Sequence, residues 1–473
     1  MLIAVVLVQA GLLFANLGLL PLWTDELFTL NTVAHPVREI LPIVARDIHP
    51  PLYYVLLHFW PVHSVIALRA FSVLWALAAT VLLDLFWTAN WRPWRRLFAL
   101  LWLALSPCLL LYGRMARSYS MQMVLFLLAA SLLWRWLRLR RGAVPAFAAC
   151  VALLYTHYVP GLALLAALAI VGVPRLGPRR VAAFAGAMAL AYAPWLWTLS
   201  SALLHWGLAV DFFHQYRLTG SLFWEQVLKI GFGAVSLSIG ESFYALALLF
   251  VPCLAWLALR GLKRTPRRLA GMIAIAAAIG YVGVARWVSY PFIPARLLWL
   301  LPFLTLAVAV GLGRRRAPAA ILLLLSLTSI SCYFRQENYL NKGYQAPLRE
   351  LARRIDAEAG ASDLILADAF NTDAGVLAYY LGTRHTLELI APEREPELRL
   401  LVAQARPVWI VRNQHDISPG SVTTRIESLA CAGRERQETL YLPYSAWQRF
   451  ALARLLPHPP THFYQLTRCA PAR

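Results

Sequence analysis

Long apolar runs alternate with short basic tracts through the first 335 residues of the chain. A helix needs roughly 17–25 residues to cross a bilayer. Runs of about this length lie near residues 2–22, 66–88, 97–112, 119–138, 143–157, 158–173, 180–200, 243–260, 269–288, 292–312 and 317–334. The pattern therefore predicts a polytopic α-helical membrane protein with about 11 transmembrane helices. The stretch 52–65 is short and contains His58, Pro61 and His63, so the alternatives range up to 13 spans.

The basic tracts predict the orientation of these helices. They are Arg92–Arg96, Arg135–Arg141, Arg175–Arg180, Arg260–Arg268 and Arg314–Arg316, and each successive pair encloses two apolar runs. Lys and Arg gather in cytoplasmic loops, so the N-terminus is predicted inside a cytoplasmic membrane and everything after about residue 335 outside. The same parity places the segments around Asp25, 112–119, 156–160, 201–242 and 286–296 outside.

Composition supports a membrane protein over a soluble one. Of the 473 residues, 60% are hydrophobic and 14% are charged, whereas soluble proteins carry about 25% charged residues. The formal net charge is +21, which by itself would suit nucleic-acid binding. Because the basic residues fall in short tracts between apolar runs, topology explains them and nucleic acid is not expected as a partner. The first residues lack a basic region and a cleavage motif, which predicts a retained first span.

From Gly343 onward the pattern changes to that of a small water-soluble domain. Residues 348–355 have helical periodicity. The pattern predicts buried strands at 364–367 and 408–411 and a helix at 375–381. We therefore predict two domains, a transmembrane domain over 1–335 and an extracytoplasmic α/β domain over 343–473. Cys431 and Cys469 both fall in the second domain. Outside the cytoplasm they would either pair or remain free.

A short segment with several polar residues follows the first apolar run. Asp25 and Glu26 stand where the helix is expected to leave the bilayer. Acids at that depth are costly and are commonly functional, and a carboxylate there can serve as a general base. The plain alternative is a helix-terminal cap. His49-Pro50-Pro51 follows in the same predicted outer loop, 23–51, with Tyr53 and Tyr54 just after it; these groups suit a phosphate, or simple anchoring at the interface.

Several cationic residues lie in other predicted outer segments. Arg114 and Arg117 are in one, His157 in the next and Arg296 in the last. Positive charge outside opposes the usual bias and indicates an anionic ligand such as a lipid phosphate, with phospholipid headgroups as the plainer alternative. No Cys, His or carboxylate set has metal-ligand spacing, so no metal is expected to be required. A divalent cation near Asp25 or Glu26 remains an alternative.

Four motifs in order resemble the membrane-embedded family C glycosyltransferases, which have the GT-C fold. The glycosyltransferases in question are those of the superfamily that contains protein O-mannosyltransferases and lipid A aminoarabinose transferases. The motifs are the Asp25-Glu26 pair, His49–Tyr54, the segment Tyr112–Tyr119 with its Ala-Arg-Ser-Tyr, and Pro294–Leu298 with its Pro-Ala-Arg-Leu-Leu. The resemblance covers most of residues 1–335. Many relatives have Gln-Glu where this chain has Arg114-Met115, and Arg296 is followed by Leu297 where they have Tyr.

The resemblance implies transfer of a sugar from a polyprenyl-phosphate donor to a lipid, glycan or protein acceptor at the outer membrane face, with inversion. Asp25 would be the base and Glu26 would shape the site. His49, Tyr53, Arg117, His157 and Arg296 would bind the donor phosphate. Membrane lipids would be the remaining partners.

Two other functions compete with this one. A flippase or transporter of lipid-linked sugars would line a pathway with intramembrane charge, although transporters commonly show paired broken helices in two related halves. A non-catalytic membrane scaffold would leave the Asp-Glu pair and the outer arginines unexplained.

Overall fold

A computed structural model of the chain describes residues 1–47, 49–214, 221–241, 247–287, 293–337, 345–368, 373–404, 407–413, 420–441, 450, 454 and 464–471. The chain divides into two compact units. The first unit contains Met1–Gly18 and Thr29–Leu340, and the second contains Leu19–Phe28 and Asn341–Arg473. The segment Leu19–Phe28, expected within the transmembrane domain, thus belongs to the same unit as the C-terminal residues.

Helices build the first unit. In chain order they are α1 (Leu2–Phe14), α2 (Thr24–Val33, whose first turns belong to the second unit), α3 (Val37–Arg46), α4 (Leu52–His58), α5 (Val65–Leu83), a π-helical turn (Asp84–Thr88), α6 (Pro93–Ala104), α7 (Pro107–Tyr112), α8 (Tyr119–Leu139), α9 (Ala143–Thr156), α10 (Tyr158–Leu176), α11 (Pro178–His214), α12 (Leu222–Ile239), α13 (Ala247–Leu262), α14 (Arg267–Trp287), a 3₁₀ helix (Pro294–Leu300), α15 (Leu301–Leu312) and α16 (Arg316–Phe334).

The prediction of a polytopic helical membrane protein is confirmed. Within the described residues, eight helices are long and apolar enough to cross a membrane, and three apolar helices are shorter: Leu2–Phe14, Ala143–Thr156 and Leu249–Leu262. The figure of 11 spans therefore stays a prediction. Residues 288–292, part of the last predicted outer segment, lie outside the described residues.

The first apolar helix is shorter than its apolar run because polar groups end it early. α1 ends at Phe14, and Asn16 has a φ of 47°. Arg114 Nη2 donates to the carbonyl oxygens of Ala15 and Asn16 at 2.7 and 2.6 Å, and Arg69 Nη1 donates to Leu17 O at 2.7 Å. These guanidinium groups satisfy carbonyls that a continuing helix would have bonded internally.

Helices α13 and α15 approach each other at backbone contact distance. A Cβ added at Gly261 would lie 1.8 Å from Ala307 O, and one at Gly311 would lie 2.0 Å from Leu257 O. Glycine at both crossing points therefore permits this packing, as small residues do where membrane helices meet.

The second unit contains a five-stranded mixed sheet in the order β2-β1-β3-β5-β4. Its elements are α17 (Leu348–Glu358), β1 (Leu364–Asp368), α18 (Ala374–Leu381), β2 (Leu387–Ile390), a 3₁₀ turn (Pro392–Arg394), α19 (Glu395–Gln404), β3 (Val408–Asn413), α20 (Val422–Cys431), β4 (Arg434–Tyr441) and β5 (Tyr464–Pro471). β1 pairs in parallel with β2 and β3, while β5 pairs antiparallel with β3 and β4.

The apolar strands form the centre of this sheet. β3 is buried along its length, and β1 along all but its first residue, as expected for the near-continuous hydrophobic runs of parallel strands. Cys431 at the end of α20 and Cys469 on β5 form a disulfide, which decides between the two alternatives left open by the sequence. The predicted small α/β domain is thus confirmed as a fold.

We predict that Gly261→Ala destabilises the first unit. The added methyl group would overlap the Ala307 carbonyl, so α13 and α15 must separate, and we expect the free energy of unfolding to fall by about 1–3 kcal/mol. Thermal unfolding of the purified protein in detergent measures this. Gly186→Ala is the matched control, because a Cβ there has no atom within 4 Å. Equal unfolding midpoints for both variants would contradict the close packing.

Candidate functional site

A buried guanidinium group lies at the centre of the candidate site in the first unit. Arg117, in the turn between α7 and α8, is 5% exposed. Its Nη1 donates to Tyr54 Oη at 3.0 Å and to Thr29 Oγ1 at 3.5 Å, while Nη2 donates to His49 Nε2 at 3.0 Å. The polar residues after α3 and on α4 therefore meet the turn before α8 at this side chain.

The contacts of His49 fix its tautomer. An arginine N–H can only donate, so His49 Nε2 accepts and the ring proton is on Nδ1. That Nδ1 lies 2.7 Å from the Asp47 carbonyl oxygen and 2.8 Å from Asp47 Oδ2, both acceptors. The neutral ring thus links the Asp47 carboxylate to the Arg117 guanidinium and orients both. The two prolines after His49 help to hold it, because each fixes its own φ.

Asp47 is the carboxylate of this cluster. Its burial opposes ionisation, but the hydrogen bond from His49 and the positive charges of Arg117 and Arg296 outweigh that cost. The pKa of the Asp47 carboxyl therefore lies below its usual value, and the group is ionised at neutral pH. The same charges place Arg296 within electrostatic reach of the cluster.

His157 occupies the junction between α9 and α10 and is 8% exposed. Its Nδ1 accepts a hydrogen bond from the Val159 backbone N–H at 3.2 Å, which caps the N-terminus of α10. Burial, followed by the charges of Arg296 and Arg117, holds the pKa of His157 well below its usual value. The ring is therefore neutral at neutral pH, with its proton on Nε2, where it can donate.

Arg296 lies in the 3₁₀ helix Pro294–Leu300 and is half-buried. Its carbonyl oxygen accepts from Trp299 Nε1 at 2.8 Å, and Trp299 is fully buried against Phe126, with ring centroids 4.4 Å apart. The backbone of Arg296 is therefore fixed by packing. Within the described part of the chain, its guanidinium group has no hydrogen-bond or ion-pair partner.

The charges of the cluster do not cancel. Arg117 and Arg296 each carry one positive charge, Asp47 carries one negative charge, and the rings of His49 and His157 are neutral in the arrangement described above. The excess of positive charge, together with the His157 N–H, suits an anion with several acceptor oxygens. A phosphate group meets that description.

The two tyrosines after His49 make different contacts. Tyr54, which the sequence also allowed as an interface anchor, bonds Arg117. Tyr53 is fully buried, and its hydroxyl lies 2.9 Å from Ser72 Oγ, which in turn donates to the Arg117 carbonyl oxygen at 3.4 Å. Tyr53 therefore positions Ser72, which in turn holds the backbone of Arg117. Its direct contact with a phosphate stays a prediction.

The second arginine of the same turn has a structural role. Arg114 is 3% exposed and bonds the carbonyls that follow α1. Its guanidinium also lies over the Tyr333 and Phe334 rings, 5.5 and 5.9 Å from their centroids. The need to end α1 thus accounts for these contacts of Arg114, whereas Arg117 contacts His49.

Asp25 and Glu26 belong to the second unit. Both stand in the first turn of α2, where the helix dipole stabilises acidic groups, so the capping alternative for these residues is consistent with their place. Asp25 is partly exposed and Glu26 is 1% exposed. Their chemical roles stay predictions.

Contacts with α18 fix the segment Leu19–Phe28 to the sheet unit. The Leu22 N–H donates to Tyr380 Oη at 2.6 Å, and Thr24 Oγ1 donates to Asp373 Oδ1. Leu27 packs there as well, since a Cβ on Gly375 would lie 3.3 Å from Leu27 Cδ2. The residues on both sides of Asp25 are thus anchored to the N-terminal and C-terminal ends of one helix.

The sequence alone does not predict that Asp47 and Thr29 belong to the cluster. Asp47 stands two positions before His49, a spacing at which an Asp side chain commonly bonds nearby groups, and that signal was available. Thr29 gave no signal, because nothing local distinguishes it from any other threonine on a helix. Among the described residues, no group of three or more His, Cys, Asp or Glu side chains is arranged to hold a metal ion.

Comparison with known proteins identifies the fold. No protein-family model and no curated protein sequence matches the chain. The crystal structure of ArnT from Cupriavidus metallidurans bound to undecaprenyl phosphate is similar, with a TM-score of 0.53 and 16% identity over 98% of this chain and 97% of that one. Its apo structure gives 0.52 and 15% over the same shares. The predicted GT-C fold is therefore confirmed.

Proposed function

We propose that this protein is a glycosyltransferase that moves a sugar from a polyprenyl-phosphate donor to a lipid, glycan or protein acceptor. The reaction takes place at the outer face of the cytoplasmic membrane, with the N-terminus inside and the α/β domain outside. The positively charged cluster of Arg117, Arg296, His49 and His157 carries this proposal. The structural neighbour ArnT was crystallised with undecaprenyl phosphate, an anion of the kind that such a cluster suits.

The leaving group of this reaction needs cations. When the bond between the anomeric carbon and the phosphate oxygen breaks, the electron pair stays on the phosphate. Fixed donors aimed at such developing charge contribute about 2.7–4 kcal/mol each to lowering a barrier. Arg117 and Arg296 supply the charge, and His157 Nε2–H adds a neutral donor. Because His49 and Tyr53 bond to Arg117 and to its support Ser72, we assign them the positioning of that guanidinium.

Asp25 is the proposed base. An acceptor hydroxyl or amine attacks the anomeric carbon from the face opposite the phosphate, and its proton passes to the Asp25 carboxylate. The products are the glycosylated acceptor, with inverted configuration, and the free polyprenyl phosphate. Glu26 is proposed to shape the acceptor side of this reaction. A positioned base contributes typically 10²–10⁴-fold.

The α/β domain has a role in this proposal, because α18 holds the segment that carries Asp25. Leu22 and Thr24 precede Asp25 and are bonded to Tyr380 and Asp373. Asp373 has a φ of 46°, a conformation that Asp adopts more readily than most residues. These contacts reduce the freedom of the Asp25 backbone, which lowers the entropy that must be lost before the base can act.

The function is tested by sugar transfer from a synthetic polyprenyl-phosphate donor to acceptors from each class, using the purified protein. We expect transfer by the parent and at least a hundredfold loss in Asp25→Asn, with binding of undecaprenyl phosphate retained. Glu39→Gln, on α3 with its side chain 47% exposed, is the control and keeps the parent rate. Transfer in the presence of EDTA tests the expectation that no metal is required.

Each other outcome of this experiment has a clear meaning. A folded Asp25→Asn variant that transfers at the parent rate contradicts the base assignment. Movement of the lipid-linked sugar across vesicles without transfer favours the flippase. Neither activity, with undecaprenyl phosphate unbound, favours the scaffold.

We predict that Arg117→Gln weakens binding of undecaprenyl phosphate. A charged hydrogen bond to the phosphate is lost, which costs about 1.5–3 kcal/mol, or roughly 10- to 150-fold in the dissociation constant. Arg38→Gln removes the same charge from α3, where the Arg38 side chain is 84% exposed, and should bind as the parent does. Equal loss in both variants would mean that bulk charge, and not the Arg117 site, attracts the lipid.

Tyr380→Phe tests the role of the α/β domain. Loss of the hydroxyl leaves the Leu22 N–H without this partner, at a cost of about 1 kcal/mol, so we expect kcat to fall about fivefold while binding of undecaprenyl phosphate is unchanged. Tyr379→Phe is the matched control, since Tyr379 is the neighbouring tyrosine and is 45% exposed. If kcat stays at the parent value in both variants, the domain does not position Asp25.

A further inference from the structure

A second cationic feature of the first unit is a cavity of about 300 Å³ beside the end of α8. It is lined by Phe86, Trp87, Ser131, Trp134, Arg135, Arg138 and Leu139. Arg135 and Arg138 are three residues apart on one helix, so their side chains lie on the same face. The volume is at the lower end of the range for ligand sites and accommodates a small polar headgroup.

The two arginines of the cavity are not engaged elsewhere. Neither guanidinium group forms a hydrogen bond or ion pair with another described residue. Asp84 is the acid nearest in sequence to Trp87, and it already pairs with Arg96. Arg96 Nε and Nη2 donate to its two carboxylate oxygens at 2.7 and 2.5 Å. Thr88 also donates to Asp84, at 2.7 Å. The cavity therefore keeps two positive charges.

Capping of α8 does not account for these arginines. Basic residues in the last turn of a helix commonly serve the terminal carbonyls. Here Arg175, from α10, donates to Leu137 O at 3.3 Å and to Arg138 O at 3.5 Å. Arg140 ends the helix in the left-handed conformation, with a φ of 55°. The end of α8 thus has other partners, which leaves Arg135 and Arg138 available to a ligand.

One wall of the cavity is rigid and amphipathic. Trp87 Nε1 donates to Ser131 Oγ at 2.8 Å, and Ser131 Oγ donates to Leu127 O at 2.6 Å. The Trp87 ring also packs edge-on against Phe303, with centroids 5.5 Å apart. Trp87 lies in the π-helical turn Asp84–Thr88, and such turns occur frequently at functional sites. A tryptophan fixed in this way is typical of the membrane–water interface.

The cavity is far from the candidate active site. α8 begins at Tyr119, two residues after Arg117, and ends at Leu139. Its 21 residues rise about 30 Å, which matches the hydrocarbon thickness of a bilayer. The cavity therefore lies at the opposite membrane face from Arg117, with Phe86 and Leu139 exposed at 45% and 53% beside it.

We propose that this cavity binds the phosphate headgroup of an anionic membrane phospholipid. The Arg135 and Arg138 guanidinium groups bind the phosphate, the tryptophans contact the glycerol region, and the exposed apolar residues meet the acyl chains. Basic pockets between transmembrane helices are suited to such headgroups. This proposal does not depend on the glycosyltransferase function, because it concerns the other membrane face.

The test compares phosphatidylglycerol with phosphatidylcholine by native mass spectrometry of the purified full chain. We expect Arg135→Gln/Arg138→Gln to bind phosphatidylglycerol about 30-fold more weakly than the parent, from the usual contribution of two arginines near a lipid phosphate. The control is Arg179→Gln/Arg180→Gln, which removes equal charge at the start of α11, outside the cavity. It should bind as the parent does.

Several results would overturn the proposal. Equal weakening in the control pair would mean that net charge alone attracts the lipid. Equal affinity for phosphatidylcholine would exclude selection of an anionic headgroup, and displacement of the lipid by excess inorganic phosphate would indicate a site for a free anion. If the double variant does not fold, Arg138→Gln alone should weaken binding about fivefold relative to Arg180→Gln, and no difference between these two would contradict the site.

Discussion

The hydrogen bonds around Arg117 are the constraint on which the first unit depends. Removing a guanidinium group from water costs several kcal/mol unless other polar groups replace the solvent. Thr29 on α2, His49 after α3 and Tyr54 on α4 supply acceptors, and Ser72 on α5 donates to the Arg117 carbonyl. Three separate chain segments thereby bond the Arg117 side chain, and a fourth bonds its backbone. The short helices and turns of these segments bring the polar groups within reach of the buried charge.

The same constraint explains why the cluster suits an anion. Within the contacts described above, one carboxylate, Asp47, lies beside two arginines, Arg117 and Arg296. His157 is kept neutral by its burial and by those charges. Natural proteins break such local rules mainly at functional sites, and the proposed transfer from a phosphate-linked donor would use an excess of positive charge.

The sequence predicts those features that local pattern determines. Apolar periodicity predicts the strands 364–367 and 408–411 and the helix 375–381, which the structure has as Leu364–Asp368, Val408–Asn413 and Ala374–Leu381, because burial of each element depends on its own residues. It does not predict that α1 ends at Phe14, since Arg69 on α5 and Arg114 in the turn before α8 end it. It likewise misses the attachment of Thr24 to Asp373, which lies 349 positions away.

We propose that the Arg117 cluster holds the phosphate of a polyprenyl carrier. An electron cryomicroscopy structure of the full chain with undecaprenyl phosphate tests it most directly. We expect phosphate density within hydrogen-bond distance of the Arg117 or Arg296 guanidinium, with His157 Nε2 as a further donor. A well-defined phosphate bound elsewhere, with the contacts of Arg117 to His49 and Tyr54 unchanged and no density beside them, would contradict the account.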